Sequence, residues 1–182
     1  MSTHAFAVLT ALGPDRVGIV DDLSRLVVTW GGNIEESKMA ILGGEFAVIM
    51  LLSLPAPQLE ALAAALPGQE KALGLHLALR PTRKPEAARD GRPYSLETVS
   101  LDTPGIVLAV TAVLKGHGIN IEELETLTQP APWTGAPLFR MRATIILGPA
   151  ASIQQLRADL ALLEAERDLD ITLRPAVLGA LE

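Results

Sequence analysis

The segment Gly13-Pro-Asp-Arg-Val-Gly18 contains residue types that can bind a small charged molecule. It brings a glycine, a turn-forming proline and a carboxylate to the predicted start of a helix, where unpaired backbone N–H groups and the helix dipole favour anions. Asp15 can accept a hydrogen bond from an ammonium group, and the amide of Asn33 can both donate and accept. Gly18 has no side chain and lets a ligand or a strand approach the first turn closely. Together these groups suit a small zwitterion.

Each of these residues also has a structural explanation. Asp15 is a good helix N-cap, Gly18 can serve packing alone, and Asn33 can shape the turn into the next strand. The same residue types recur 87 positions later, as Asp102, Gly105 and Asn120. Because a duplication copies structural residues as well as functional ones, the recurrence leaves both interpretations open.

An internal repeat determines the predicted architecture. At a shift of 87 residues, segment 15–36 aligns with segment 102–123 without a gap, and nine of the 22 positions are identical. Further along, residues 75–81 resemble residues 169–175 at a shift of 94. The seven additional residues of the second repeat are assigned to an enlarged loop at 129–137.

Within each repeat the hydrophobic periodicity changes in the same order, from strand to helix, to two strands, to helix, to strand. In the first repeat the dipeptide Gly31-Gly32 ends a helix and Gly43-Gly44 predicts a tight hairpin. This order predicts an α+β protein of two tandem ferredoxin-like βαββαβ domains, each an antiparallel four-stranded sheet covered by two helices on one face. The predicted elements are strands 4–10, 33–42, 45–54 and 73–80 with helices 16–30 and 57–66, then strands 95–101, 119–128, 138–147 and 169–174 with helices 104–117 and 152–167.

The segment 81–93 is rich in proline and charge and has no apolar periodicity, which indicates a linker. We therefore expect an N-terminal domain at 1–81, a linker at 82–93 and a C-terminal domain at 94–182.

The composition argues against several function classes. The chain has no Cys, which removes disulfides, thiolate nucleophiles and cysteine-ligated metals, and it has only three His. No metal or cofactor is therefore expected. A net charge of −6 opposes the phosphate backbone, so direct nucleic-acid binding is not expected. Uncharged stretches reach 14 residues, short of a membrane span, and the N-terminus does not resemble a secretory signal, so the expected compartment is the cytoplasm.

The titratable residues offer little support for catalysis. His117 is at the predicted end of a helix, where a His stabilises free carbonyls, His76 faces away from the leucines of its strand, and His4 opens a strand. The pairs Glu35-Glu36 and Glu122-Glu123 are adjacent in sequence and do not face each other. No catalytic residue is predicted, and the protein is not expected to be an enzyme.

The motif Gly13-Pro-Asp-Arg-Val-Gly-Ile-Val20, followed by Gly31-Gly-Asn-Ile34 within a βαββαβ repeat, resembles the ACT domain, a small regulatory module that binds amino acids. The resemblance implies an effector bound between the first loop of one domain and the second strand of its neighbour. By matching position, it implies a first ligand-binding set of Gly13, Pro14, Asp15, Arg16, Val17, Gly18, Ile19, Asn33 and Ile34. It implies a second set of Asp102, Thr103, Pro104, Gly105, Ile106, Asn120 and Ile121. Since Pro104 removes one backbone donor, the two sites are not expected to bind equally.

Two tandem ACT domains without a catalytic domain resemble transcriptional regulators of amino-acid metabolism. The resemblance implies a noncatalytic sensor of glycine or a similar small amino acid that acts through contact with a protein partner. The alternatives are a regulatory subunit that controls a metabolic enzyme in trans, and a structural dimer module with vestigial sites. A homodimer is expected because the free sheet faces and edges need cover.

Overall fold

The structure, a computed structural model, describes residues 4–83, 90–132 and 134–176. The described residues form two compact units that divide within segment 84–89, here called unit 1 and unit 2. Part of the predicted linker lies outside the described residues, and its ends, Thr82 and Pro93, lie in strands.

Each unit has the order β-α-β-β-α-β and one four-stranded sheet, so the predicted tandem ferredoxin-like α+β fold is confirmed. The strand order is β2-β3-β1-β4 in unit 1 and β6-β7-β5-β8 in unit 2, with every pair antiparallel. The elements of unit 1 are β1(His4–Pro14), α1(Ile19–Thr29), β2(Asn33–Leu42), β3(Glu45–Pro55), α2(Ala56–Leu73) and β4(His76–Thr82). Those of unit 2 are β5(Arg92–Leu101), α3(Ile106–Gly116), β6(Asn120–Pro130), β7(Pro137–Leu147), α4(Ile153–Arg167) and β8(Asp170–Pro175).

Each unit has its own hydrophobic core between its helices and one face of its sheet. In unit 1, alternate residues of β1 point into this core, so Leu9 is fully buried while Leu12, on the opposite face of the strand, is half exposed. Helix α1 contributes Leu23 and α2 contributes Leu62, both fully buried. The two helices therefore cover one sheet face and leave the other open.

The core of unit 2 contains two hydroxyl groups at positions where unit 1 has smaller, apolar residues. Thr98 and Ser100 on β5 are buried, and within the described residues neither hydroxyl has a hydrogen-bond partner. Ala11 and Gly13 occupy the matching positions on β1. An unpartnered buried hydroxyl lowers the free energy of unfolding by roughly 1–3 kcal/mol. This part of the unit 2 core is therefore less stabilising than the matching part of the unit 1 core.

Several predicted boundaries were wrong. Leu73 lies in the last turn of α2, not on a strand, because Gly74 ends the helix in a left-handed conformation and its N–H donates to the Glu70 carbonyl at 2.9 Å. Strand β5 begins at Arg92, three residues earlier than predicted, because it pairs with both β7 and β8. The alternating leucines of segment 73–79 imitate a strand pattern that the local helix cap overrides.

Candidate functional site

The loop between β1 and α1 in unit 1 is held at its base and open at its tip. The N–H of Asp15 donates to the Gly44 carbonyl at 2.9 Å, which ties the loop to the β2–β3 hairpin. Gly18 has a φ of +91°, in the region that favours glycine. A Cβ added at Gly18 would meet no heavy atom of the described, non-adjacent residues within 4 Å. Gly18 is therefore needed for its backbone conformation, not for packing, and the space above it is free.

Helix α1 begins without a side-chain cap. Its first hydrogen bond runs from the Asp22 N–H to the Gly18 carbonyl at 2.9 Å, so the N–H groups of Ile19, Val20 and Asp21 precede the helical ladder. The N-cap residue is Gly18, and among the described residues no side chain caps this end of the helix. The alternative in which Asp15 caps the helix is therefore wrong. The exposed N–H groups leave a partial positive charge at this end of the helix.

Asp15 is the carboxylate that this loop leaves available. Asp22 accepts from Nη2 of Arg16 at 2.8 Å and Asp21 accepts from Nη2 of Arg25 at 2.7 Å. The side chain of Asp15 is exposed and makes no hydrogen bond or ion pair with any other described residue. Two nearby acids are thus neutralised, and the third can accept hydrogen bonds from a cation.

Two further contacts fix the loop against the end of α2. Nη2 of Arg16 also donates to the Leu73 carbonyl at 3.2 Å. Gly13 packs so closely on the turn before β4 that a Cβ there would lie 2.8 Å from Cδ2 of Leu75. A cleft of about 380 Å³ lies beside this contact and is lined by Gly13, Pro14, Pro67, Glu70, Lys71, Gly74, Leu75 and His76. Two other residues of the first predicted ligand-binding set differ in exposure: Val17 is fully exposed, whereas Ile19 is buried in the core.

The other part of the first predicted set lies at the opposite end of the same sheet. Asn33 pairs with Ser53, and Ser53 pairs with Phe6 on β1, whereas the loop follows Pro14. Phe6 and Pro14 are eight positions apart on β1, a separation of roughly 27 Å at about 3.4 Å per residue. Within unit 1, the amide of Asn33 therefore cannot contact a molecule that is bound to Asp15. An effector that contacts both groups would have to lie between the loop of one domain and the second strand of another, as the resemblance implies, and that arrangement stays a prediction.

Asn33 has a structural role that its sequence position did not reveal. Strand β2 contains a bulge between Ile34 and Glu36, which places Glu35 outside the regular pairing. The Glu35 carboxylate accepts from Nδ2 of Asn33 at 3.2 Å and from the hydroxyl of Ser53. Ile34 packs against the core. These contacts give Asn33 a structural role at the bulge of β2.

The second predicted set repeats this backbone with different side chains. The Asp102 N–H donates to the Pro137 carbonyl at 2.9 Å, and Gly105 begins α3 with a φ of +92°. Oδ2 of Asp102, however, accepts a long hydrogen bond from Oγ1 of Thr128 at 3.4 Å. Nη1 of Arg167 would lie 3.7 Å from a Cβ at Gly105, so a cation approaches this helix start.

The remaining residues of the second set resemble their counterparts in unit 1. Thr103 and Pro104 are exposed and Ile106 is buried. Nδ2 of Asn120 donates to Oε1 of Glu122, the residue at the bulge of β6, at 3.0 Å. Ile121 packs against the unit 2 core.

The three histidines have separate surroundings in the structure. Nε2 of His117 lies 2.8 Å from Oδ2 of Asp159, so this side chain joins the end of α3 to α4. His4 and His76 are exposed at the starts of β1 and β4. Across residues 4–83, 90–132 and 134–176, no group of three or more His, Asp or Glu is arranged to hold a metal ion. None of the helices in the described part of the chain is both long and apolar enough to cross a membrane.

The sequence analysis missed residues that line or support these regions. Glu35 and Ser53 fix Asn33, and Lys71 and His76 line the cleft beside Gly13. The recurring Asn-Ile-Glu triplet contained a signal for Glu35, because a carboxylate two residues after an Asn can accept a hydrogen bond from the amide of that Asn. Nothing local in the sequence indicated Lys71, which reaches the cleft only because α2 continues beyond Pro67.

Comparisons with known proteins agree with this architecture. The ACT domain family model matches residues 5–80, which lie in unit 1. The glycine cleavage system transcriptional repressor of Escherichia coli K12 is 37% identical over 159 residues, which cover 85% of this chain and 83% of the relative. The protein of the same description in Shigella flexneri matches equally well.

Two solved structures match nearly the whole chain. A protein of unknown function from Galdieria sulphuraria is 39% identical with a TM-score of 0.78, covering 96% of this chain and all of the other. A protein provisionally described as a glycine cleavage system transcriptional repressor is 23% identical with a TM-score of 0.73 and covers 95% of this chain and 98% of the other, which shows the shared fold. With ACT geometry in both units and a relative of 37% identity along most of its length, this chain belongs to the family of the glycine cleavage system transcriptional repressor.

Proposed function

We propose that this protein is a noncatalytic regulator of glycine metabolism that binds a small amino acid at the β1–α1 loop of unit 1. The observation that carries the proposal is the uncapped start of α1 beside the unpaired carboxylate of Asp15. The family supports glycine or a similar amino acid as the effector, because the Escherichia coli relative is described as a repressor of the glycine cleavage system.

The charges of the loop match those of a zwitterion. The effector carboxylate accepts hydrogen bonds from the N–H groups of Ile19 and Val20, where the helix dipole favours an anion. The effector ammonium donates to the carboxylate of Asp15. The open space above Gly18 admits the effector without displacing a side chain. Arg16 serves the site indirectly, by fixing the loop to Asp22 and to the end of α2.

Unit 2 is proposed to bind the effector more weakly or not at all. Asp102 already accepts from Thr128, and Pro104 lacks an N–H. The side chain of Arg167 comes within 3.7 Å of a Cβ at Gly105, so the space that is open above Gly18 is partly occupied in unit 2. Asn33 and Asn120 are proposed to stabilise their bulges and not to contact an effector bound at the loop of their own unit.

The protein is proposed to act through a protein partner. A net charge of −6 disfavours contact with the DNA backbone, so a repressor of this composition needs a partner that contacts DNA. Effector binding changes the population of the partner-binding state by at most its differential affinity for the two states. The protein is proposed to be cytoplasmic and to form a homodimer.

The test of the site is thermal unfolding in the presence of each of the twenty amino acids at millimolar concentration. A ligand at 100 times its dissociation constant adds about 2.7 kcal/mol of stability, which raises the Tm of a chain of this size by several degrees. We expect a selective rise for glycine or a similarly small amino acid. Asp15→Asn should abolish the rise, because the amide cannot pair with an ammonium as a carboxylate does.

Two matched variants make this test specific. Asp102→Asn removes the corresponding carboxylate of unit 2 and should leave the effector response unchanged. Asp21→Asn removes a first-turn carboxylate that is paired with Arg25 and should also leave it unchanged. A response lost equally in all three variants would show a general charge effect, and no response to any amino acid would refute the proposed effector class.

Identification of the partner separates the main proposal from its alternative. Affinity purification of the full-length protein in the presence and absence of glycine should recover a DNA-binding regulator in an effector-dependent amount. Recovery of a metabolic enzyme in its place would support a regulatory subunit that acts in trans.

A further inference from the structure

The uncovered face of the unit 1 sheet has an apolar centre. This face, here called the open face of unit 1, is formed on the two central strands by alternate residues that point away from the helices. Between Val8 and Leu12 on one strand and Ala47 and Leu51 on the other, no residue is charged. The members of this centre are Val8, Thr10, Leu12, Ala47, Ile49 and Leu51. Leu12 is 50% exposed and Ile49 is 51% exposed, so large apolar side chains meet solvent here.

Unit 2 provides an internal comparison, because the same strand register places different residues on its open face. The positions matching those six residues hold Ser95, Glu97, Val99, Arg140, Arg142 and Thr144. Oε1 of Glu97 lies 3.5 Å from Nη2 of Arg142 and 3.9 Å from Nε of Arg140. Five of these six positions are polar or charged, whereas five of the six in unit 1 are apolar. The fold therefore does not require an apolar open face, and the residues of unit 1 need another explanation.

Exposed apolar patches of this kind mark interaction sites on soluble proteins. We propose that the open face of unit 1 docks against the same face of a second copy of this chain. A charged surface such as the open face of unit 2 is a poor match, since burying Glu97 and its arginines against apolar residues would cost desolvation without compensation. An apolar surface of the same kind is present in every solution of this protein, because each copy has its own open face of unit 1.

The shape of the face allows it to contact itself. A hollow of about 290 Å³ between the central strands and β2 is lined by Val8, Glu36, Ser37, Lys38, Ile49 and Leu51. The half-exposed side chain of Leu12 lies on the same face, so the surface offers both an exposed apolar side chain and a recess for an isologous contact.

The size of the face indicates a weak, reversible contact. Four strands about 4.8 Å apart and about seven residues long give roughly 450 Å² for each copy, or roughly 900 Å² for both. Stable interfaces bury about 1,200–2,000 Å², so association through this face alone should depend on concentration in the micromolar range or above. This inference rests on the open face and not on the proposed effector site.

Sedimentation of the full-length protein over a wide concentration range tests the proposal. We expect a reversible monomer–dimer equilibrium, and Ile49→Arg should raise the dimer dissociation constant at least tenfold. This substitution copies Arg142, which occupies the matching position in the sheet of unit 2. Val28→Arg adds the same charge on α1, at a side chain that is 71% exposed, and should leave association unchanged. Circular dichroism confirms that both variants are folded.

Cysteine cross-linking tests whether like faces meet. Because the chain has no Cys, a single Thr10→Cys substitution places one thiol near the centre of the face. We expect mild oxidation to produce a disulfide-linked dimer, whereas Glu97→Cys at the matching position of unit 2 should produce none above background. A wild-type chain that is monomeric at concentrations on the order of 1 mM, or a dimer unaffected by Ile49→Arg, would overturn the proposal. A monomer that instead uses this face to bind a different protein would also overturn it.

Discussion

Units 1 and 2 have the same backbone at the β1–α1 and β5–α3 loops but different chemistry on it. The glycines that precede the two helices, Gly18 and Gly105, have φ values within one degree of each other, at +91° and +92°. Position 16 of unit 1 is an arginine that fixes the loop, whereas the matching Thr103 has no such contact among the described residues. The difference teaches that duplicated geometry does not establish duplicated function, since ligand binding depends on which polar groups remain available.

The two units also differ in how they hold their helices and cores. His117 joins α3 to α4 through Asp159, whereas the matching Trp30 packs against the unit 1 core. Unit 2 also buries the two unpartnered hydroxyls of β5. The following matched substitutions test these differences, beginning with the largest expected effect.

The fully buried leucines Leu9 and Leu96 occupy matching positions in the two cores. Leu9→Ala and Leu96→Ala should each cost about 2–5 kcal/mol, because each leaves a cavity among fully packed side chains. If the units unfold separately, calorimetry should show that each variant lowers a different transition. Leu12→Ala, at a half-exposed position, is the control with a smaller effect. A single transition lowered equally by both variants would show that the units unfold together.

The buried hydroxyl of Thr98 provides the second test. Thr98→Val keeps the shape and removes the unpartnered hydroxyl, so it should stabilise unit 2 by about 1 kcal/mol. The reverse change in unit 1, Ala11→Thr, adds both volume and a hydroxyl to a packed core and should cost about 1–3 kcal/mol. Urea unfolding measures both changes. A destabilised Thr98→Val would show that a water molecule satisfies the hydroxyl.

Exchanging the C-terminal cap residues of α2 and α4 should produce smaller changes in stability, of opposite sign in the two units. Gly74 has a φ of +69°, and the matching Asp168 has a φ of +54°, which is unfavourable for a residue with a Cβ. Asp168→Gly should stabilise unit 2 by about 0.5–1 kcal/mol, and Gly74→Asp should destabilise unit 1 by a similar amount. Chemical denaturation of both variants checks the opposite signs, and a change of the same sign in both would contradict the explanation.

The smallest effect is expected at the ion pairs of the unit 2 open face. Glu97→Gln removes the charge that pairs with Arg142 across neighbouring strands, and should change stability by less than about 0.5 kcal/mol, because the pair is exposed. The change should decrease further in high salt. A loss of more than about 1 kcal/mol in the free energy of unfolding, at any salt concentration, would show that this face is covered in solution. Its polar character predicts the opposite.

The local sequence was sufficient to predict most of the fold. The Gly43-Gly44 hairpin was correct because only glycine readily adopts positive φ at both positions of such a turn, and both do so. Strand β2 was predicted at its observed bounds. The end of α2 was not, since Pro67 and the alternating leucines after it resemble a helix end and a strand. These outcomes show that the prediction succeeded where one local feature dominated and was wrong where two competed.

The candidate site divides in the same way. The loop residues Asp15 and Gly18 were identified from their spacing, because a turn, a carboxylate and a helix start are neighbours in the chain. The choice of Gly18 rather than Asp15 as the N-cap depended on where the first helical hydrogen bond forms, which the residue types leave open.

The sequence by itself determined the repeated βαββαβ order, the two loops that begin the helices and the family resemblance, because each follows from residue patterns along the chain without knowledge of strand register. Only the tertiary structure decided that Asn33 lies at the far end of the sheet from Asp15 and supports a bulge through Glu35. It also decided which face of each sheet is left open and what that face contains. These features depend on strand register and on helix crossovers, which bring together or separate residues regardless of their distance in the chain.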